Sequence, residues 1–285
     1  MTRFRRSEPA VTRRDILAGA SNAAACSLAP APVSAQTAGA NPAELKPRLL
    51  VAGPSAAPLR PEPAPPTPVW AIDGQIPGPV RRAKPGETLR LRLENRTAKP
   101  LSLHWHGVRQ ASANDGVGGF SQPPVAPGAS QELTLVPPDP GLYLYRPLVL
   151  GGSSEPSARG LSGLLIVDDA EPPKVDHDLP LLVGDWLLDD TGALGPFLSP
   201  NPDGAVAGRL GNWLTVNGRP LFRKTPLRPG ARLRLRLANV CNARTLRIRF
   251  DNLKAYVVAI DGQPVEIFEP LRSTLPFAPG ARYDI

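Results

Sequence analysis

Sulfur and imidazole are scarce in this chain. Its 285 residues include two cysteines, three histidines and one methionine. One cysteine, Cys26, lies in a segment that reads as a removable leader. Its loss leaves Cys241 alone, so no internal disulfide staples the fold. A long hydrophobic run is also lacking. The weakly apolar stretch from Ile16 to about Pro32 is short and broken by Ser and Asn, which excludes stable insertion across a membrane. Aromatic residues make up 5% and do not interleave with the arginines. The formal net charge of +8 therefore reads as a solvated basic face, not a nucleic-acid surface.

Proline and glycine are abundant, at 37 and 26 residues. Proline breaks helix interiors and collects in loops, turns and strand edges, which points to an all-β, loop-rich body. A hydrophobic share of 41% is enough for packed cores, and the length suits two domains.

The first 35 residues read as an export signal. Arg13-Arg14 stands directly before Asp15, Ile16 and Leu17, and Val33-Ser34-Ala35 offers small residues for cleavage. This resembles a twin-arginine leader, which implies a periplasmic destination. Residues 36–68, rich in proline and alanine, read as an extended linker or wrapping arm.

The remainder repeats itself. Gly74, Pro85, Gly86, Leu89, Leu91, Leu93 and Asn95 recur 144 positions later as Gly218, Pro229, Gly230, Leu233, Leu235, Leu237 and Asn239. Leu89-Arg90-Leu91-Arg92-Leu93 and Leu233-Arg234-Leu235-Arg236-Leu237 alternate strictly. Successive side chains of a strand face opposite ways, so each segment is predicted to bury leucines and expose arginines. Ala126-Pro127-Gly128-Ala129 and Ala278-Pro279-Gly280-Ala281 each open a further strand. Two Greek-key barrels are predicted, over residues 69–170 and 171–285. The first unit runs on for about forty residues past its Ala-Pro-Gly turn, whereas the second stops at Ile285. The second barrel is therefore expected to be incomplete and C-terminally truncated.

Two of the histidines form His104-Trp105-His106-Gly107 on a predicted strand. Residues two apart on a strand share a face. Together they can bind one metal or serve two, and imidazole suits copper, zinc and iron. His-x-His alone is a weak signal, because such pairs are often structural.

The surrounding residues carry more. Asp73-Gly74-Gln75-Ile76-Pro77-Gly78-Pro79, Lys84-Pro85-Gly86-Glu87-Thr88-Leu89, the His-Trp-His-Gly segment, Asp115-Gly116-Val117 and Gln122-Pro123-Pro124-Val125-Ala126-Pro127-Gly128 follow in order. That series resembles the first domain of multicopper oxidases. Asp185-Trp186, Asn217-Gly218-Arg219-Pro220, Asp261-Gly262-Gln263-Pro264 and Ala278-Pro279-Gly280-Ala281-Arg282-Tyr283-Asp284 resemble the second. The resemblance implies two cupredoxin-type barrels. It implies that His104 would ligate a type 2 copper and His106 one of a type 3 pair. It makes Asp115 a catalytic candidate that assists proton delivery; the plainer reading is a turn residue before Gly116.

The chain also departs from the family. Gly141-Leu142-Tyr143-Leu144-Tyr145 leads into Arg146-Pro147-Leu148, where a second His-x-His is expected. Arginine is cationic at any working pH and leucine has no lone pair. Cys241, between Val240 and Asn242, matches no copper-thiolate site and reads as a buried apolar residue. His177 reads as a solvent-facing residue at a strand start. Copper at low occupancy, or none, is therefore expected. Two readings stay open. One is an oxidase lineage that acts on metal ions or phenols, given a third domain or partner protein to supply ligands. The other is a copper-free scaffold that works by binding proteins.

Overall fold

The computed structural model describes residues 46–197, 208–220 and 226–285. The leader falls outside them. The first barrel is built from β1 (Arg48–Ala57), β2 (Thr67–Ile72), β3 (Gly78–Ala83), β4 (Leu89–Asn95), β5 (Leu103–His106), β6 (Ser130–Leu135), β7 (Gly141–Pro147) and β8 (Gly163–Val167). These strands form two four-stranded sheets, ordered β2-β1-β4-β6 and β3-β8-β7-β5. A five-residue helix, α1 (Ser154–Ala158), links β7 to β8. No described helix is long and apolar enough to cross a membrane.

The second barrel comprises β9 (His177–Trp186), β10 (Trp213–Val216), β11 (Arg219–Pro220), β12 (Leu233–Asn239), β13 (Leu246–Arg249), β14 (Val257–Ile260), β15 (Gln263–Phe268), β16 (Thr274–Phe277) and β17 (Arg282–Asp284). Seven strands make one sheet in the order β11-β10-β9-β12-β17-β14-β15, and β13 pairs with β16. The fold class is therefore all-β with two tandem cupredoxin-like barrels. The smaller sheet of the second has two described strands where its counterpart in the first has four.

One boundary needs correction. Residues 48–57, expected in the proline-rich linker, form β1 and belong to the first barrel. β1 runs parallel to β4 and antiparallel to β2, and Leu50 and Ala52 are fully buried. Composition suggested a linker, yet alternate positions of the segment are apolar, and a partner strand on each side satisfies its backbone.

The internal repeat has a structural basis in its asparagines. Asn95 and Asn239 are both fully buried. The Asn95 side chain donates to the carbonyls of Lys99 and Val125 and accepts from the Thr97 amide. The Asn239 side chain donates to the carbonyls of Arg244 and Phe277 and accepts from the Cys241 amide. Each asparagine ties the loop after its strand to the rest of its barrel.

The leucine-arginine strands meet different surroundings. In β4 the leucines are buried, while Arg92 is exposed and Arg90 pairs with Glu132 at the surface. In β12 the expected exposure of arginine is overturned. Arg234 and Arg236 are buried, and Arg236 is only 2% exposed. Their face of β12 lies toward the first barrel, and carboxylates that include those of the neighbouring strands β9 and β17 meet them. Arg234 contacts Asp284 and Asp169, and Arg236 contacts Asp178 at 2.8 Å. Arg82 on β3 reaches Asp178 and Asp168 and joins this network to the first barrel. Buried charges persist only when paired in this way.

β7 and β8 are the strands that hold the barrels together. Tyr143, Tyr145, Leu165 and Val167 face the first core, beside Leu50, Leu91, Leu93 and Trp105. Leu142, Leu144, Leu164 and Ile166 face the other way and pack on Leu182 of β9 and Ala238 of β12. A strand buried on both faces loses the apolar-polar alternation and reads as a continuous apolar run.

Candidate metal site at the barrel junction

β5 places the two histidines. Trp105 is fully buried in the first core and tilts against Tyr145 at a centroid distance of 5.6 Å. Strand alternation then turns His104 and His106 to the opposite face, toward the second barrel. Their ring centroids are 5.8 Å apart. The structure thus brings together the two residues that the sequence offered as metal ligands.

Asp115 joins them from a loop. Its carbonyl oxygen lies 2.9 Å from His104 Nδ1 and its carboxylate oxygen Oδ1 lies 3.1 Å away. Both partners are acceptors, so Nδ1 carries the proton and Nε2 keeps its lone pair. The tautomer is assigned from these partners. Gly116 makes the approach possible: its φ is +75°, and a Cβ there would sit 1.9 Å from the Leu103 carbonyl oxygen. Asp115 is therefore both the turn residue before a glycine and the group that orients His104. Carboxylate–histidine pairs of this kind fix ring orientation at metal sites.

His106 sits in a different field. β5 and β7 are antiparallel, with His104 opposite Arg146 and His106 opposite Leu144. Arg146 Nη2 lies 3.4 Å from His106 Nδ1. A guanidinium only donates, so this nitrogen accepts and Nε2 carries the proton. Burial, with the charges of Arg146 and Arg282 nearby, pulls the His106 pKa down to about 4. The ring is neutral at physiological pH, and the nitrogen that bears its lone pair is engaged by a cation.

Copper is the metal that the sequence resemblance implies, and the donor set fits it poorly. No group of three or more His, Cys, Asp or Glu side chains among the described residues is placed to hold a metal ion. Two imidazoles of opposite tautomer, one facing a guanidinium, do not make a copper cluster. Leu148 follows the end of β7 and has only its backbone engaged, with Ser102 and Gly118. His177 begins β9 and is exposed. Cys241 is buried, and burial together with the nearby Asp185 carboxylate pushes its thiol well above the usual range.

Sequence reasoning missed two members of the junction. Arg282 on β17 is buried and donates to the carbonyls of Leu142, Gly280 and Asp261. Gly280 faces His106 Nε2 and Arg146 Nη2. The only available sign was the second Ala-Pro-Gly turn, which marked a strand start and gave no hint of its neighbour.

Comparison with known proteins gives a consistent family. Two multicopper oxidase family models match, one over residues 55–172 and the other over residues 177–285. Laccase-1 of Cryptococcus neoformans is 30% identical over 241 residues, which cover 75% of this chain and 38% of that protein. Copper resistance protein A of Pseudomonas syringae is 29% identical over 246 residues, covering 70% and 40%. The chain thus spans about two-fifths of the length of these curated relatives. Among solved structures, the multi-copper oxidase from Pseudomonas thermotolerans superposes with a TM-score of 0.75 at 36% identity, over 84% of this chain and 57% of that one. The enzyme from Pseudomonas parafulva gives 0.72 at 34%, with 84% and 57% covered. With its two barrels, its paired histidines and these matches over both halves, the chain belongs to the multicopper oxidase family.

Proposed function

We propose that this chain is an exported, periplasmic member of an oxidase lineage whose activity is dioxygen-dependent oxidation of metal ions or phenols, and that these residues alone support little of that activity. The family is one of copper-binding oxidoreductases, which supports the lineage. The observation that carries the impairment is Arg146 against His106 Nδ1. A fixed cation beside a donor atom repels a metal ion, and Leu148 supplies no replacement ligand. Copper at this site would rest on His104 and His106 with solvent, which holds it loosely. His104 is the better donor, because Asp115 leaves its Nε2 lone pair free. A complete cluster would need donors from a further domain or a partner protein.

The test is dioxygen uptake by the purified chain with a phenolic substrate after copper loading. Uptake at or near the blank is expected. Sustained turnover would overturn the impairment. Copper binding that survives both His104→Ala and His106→Ala would remove the site assignment.

A further inference from the structure

A cavity of about 240 Å³ opens in the second barrel, between the β13–β14 loop and the turn that joins β15 to β16. Phe250, Ala255 and Pro270 line it with apolar surface. Phe250 and Pro270 are buried and make its floor, while Leu253, 55% exposed, stands at its mouth. The two walls are tied together. The Phe250 amide donates to the Ser273 carbonyl at 2.9 Å, and Lys254 Nζ stands 3.8 Å from Glu269 Oε1.

Two further features mark this cavity. Its polar lining is uncommitted: neither the Asn252 amide group nor the Ser273 hydroxyl has a hydrogen-bond partner among the described residues. Its backbone is also strained. Asn252, Arg272 and Ser273 have φ of +58°, +53° and +52°. Asparagine tolerates that region, whereas two successive residues such as arginine and serine adopt it at a cost. Strain of this kind collects at ligand clamps.

The lining selects a class of ligand. Drug-sized ligands occupy sites of roughly 300–1,000 Å³, so this cavity takes a single ring. Phe250 offers an aromatic surface, against which a second aromatic ring packs better than an aliphatic one. Lys254 and Glu269 balance each other, so an ion of either sign would meet its like charge and a neutral ligand is favoured. Asn252 and Ser273 can each donate and accept, which matches a ring hydroxyl.

We propose that this cavity binds a neutral, single-ring phenol, with its ring against Phe250, Leu253 and Pro270 and its hydroxyl between Asn252 and Ser273. Neither His104 nor His106 lines the cavity. The site therefore goes beyond the oxidase reading, and each can fail without the other.

The experiment is titration of the chelator-treated full chain with phenol, followed through backbone amide resonances. Saturable shifts at Asn252, Leu253, Lys254, Ala255 and Ser273 are expected, with a Kd of about 1 mM. Cyclohexanol, of similar size without the aromatic face, should bind at least about threefold more weakly. Asn252→Gly and Ser273→Gly remove the polar groups at positions whose φ glycine accepts, and each should weaken phenol about fivefold. Ala255→Leu fills the cavity and should abolish the shifts. Far-ultraviolet circular dichroism checks folding, and if Ala255→Leu does not fold, the two glycine variants decide. No saturable shift at these residues, equal affinity for cyclohexanol, unchanged affinity in both glycine variants, or binding kept by a folded Ala255→Leu would overturn the proposal.

Discussion

At position 146 the strand beside the histidines carries a guanidinium where a ligand would be useful. Its cross-strand partner is His104, and side chains directly opposite on antiparallel strands stand about 5 Å apart. Arg146→His should therefore add a third imidazole and remove the cation. Copper affinity is expected to rise at least about tenfold, read by competition with a chromogenic chelator. Arg146→Leu, which removes only the charge, should give a smaller rise. Equal affinity in all three chains would show that Arg146 does not limit copper binding. Asp115→Ala should weaken copper binding about tenfold by freeing the His104 ring, with little change in unfolding midpoint. The paired histidines and the missing ligands at Arg146 and Leu148 were legible in the sequence. The contact of Asp115 with His104 was not, because it depends on how the loop turns at Gly116. The approach of Arg282 and Gly280 was hidden as well, since it depends on how two barrels pack.

Among the elements, β4 and β12 share one sequence pattern and differ in environment. Alternation announced both strands and said nothing of what lies over the second face. In β12 that face receives Asp178 and Asp284. Burial raises the Asp178 pKa, and Arg236 and Arg82 outweigh it, so its carboxyl stays below the usual range. A carboxylate with a lowered folded pKa contributes stability above its unfolded value, ~3.9, and loses it as pH falls through the folded value. Thermal stability should therefore fall below about pH 4, and Asp178→Asn should flatten that fall while lowering stability at neutral pH. An unchanged acid limb in Asp178→Asn would exclude this pair as its source. The repeated asparagines offer a second check. Asn95→Ala or Asn239→Ala removes the side-chain hydrogen bonds that hold the loop after each strand, a cost of about 2–4 kcal/mol by urea unfolding. The first segment of the barrel was illegible for a compositional reason: proline and alanine around β1 masked an otherwise regular strand.

Over the whole molecule, the two barrels share β7 and β8 as a common wall. Leu142, Leu144, Leu164 and Ile166 have no water on their outer side. Leu164→Ala should cost about 2–4 kcal/mol by leaving a cavity at the junction. Calorimetry should show the barrels unfolding in one transition, and two separate transitions would show that the junction does not couple them. The same packing brings Arg146, Arg282 and His106 into one region, so fold and site chemistry are set together. The central claim is that this arrangement leaves the chain without a complete copper cluster. Copper per purified chain, measured by elemental analysis after loading and exhaustive dialysis, tests it most directly. The account predicts at most about one weakly held ion, lost on further dialysis. Three or more ions retained per chain would contradict it.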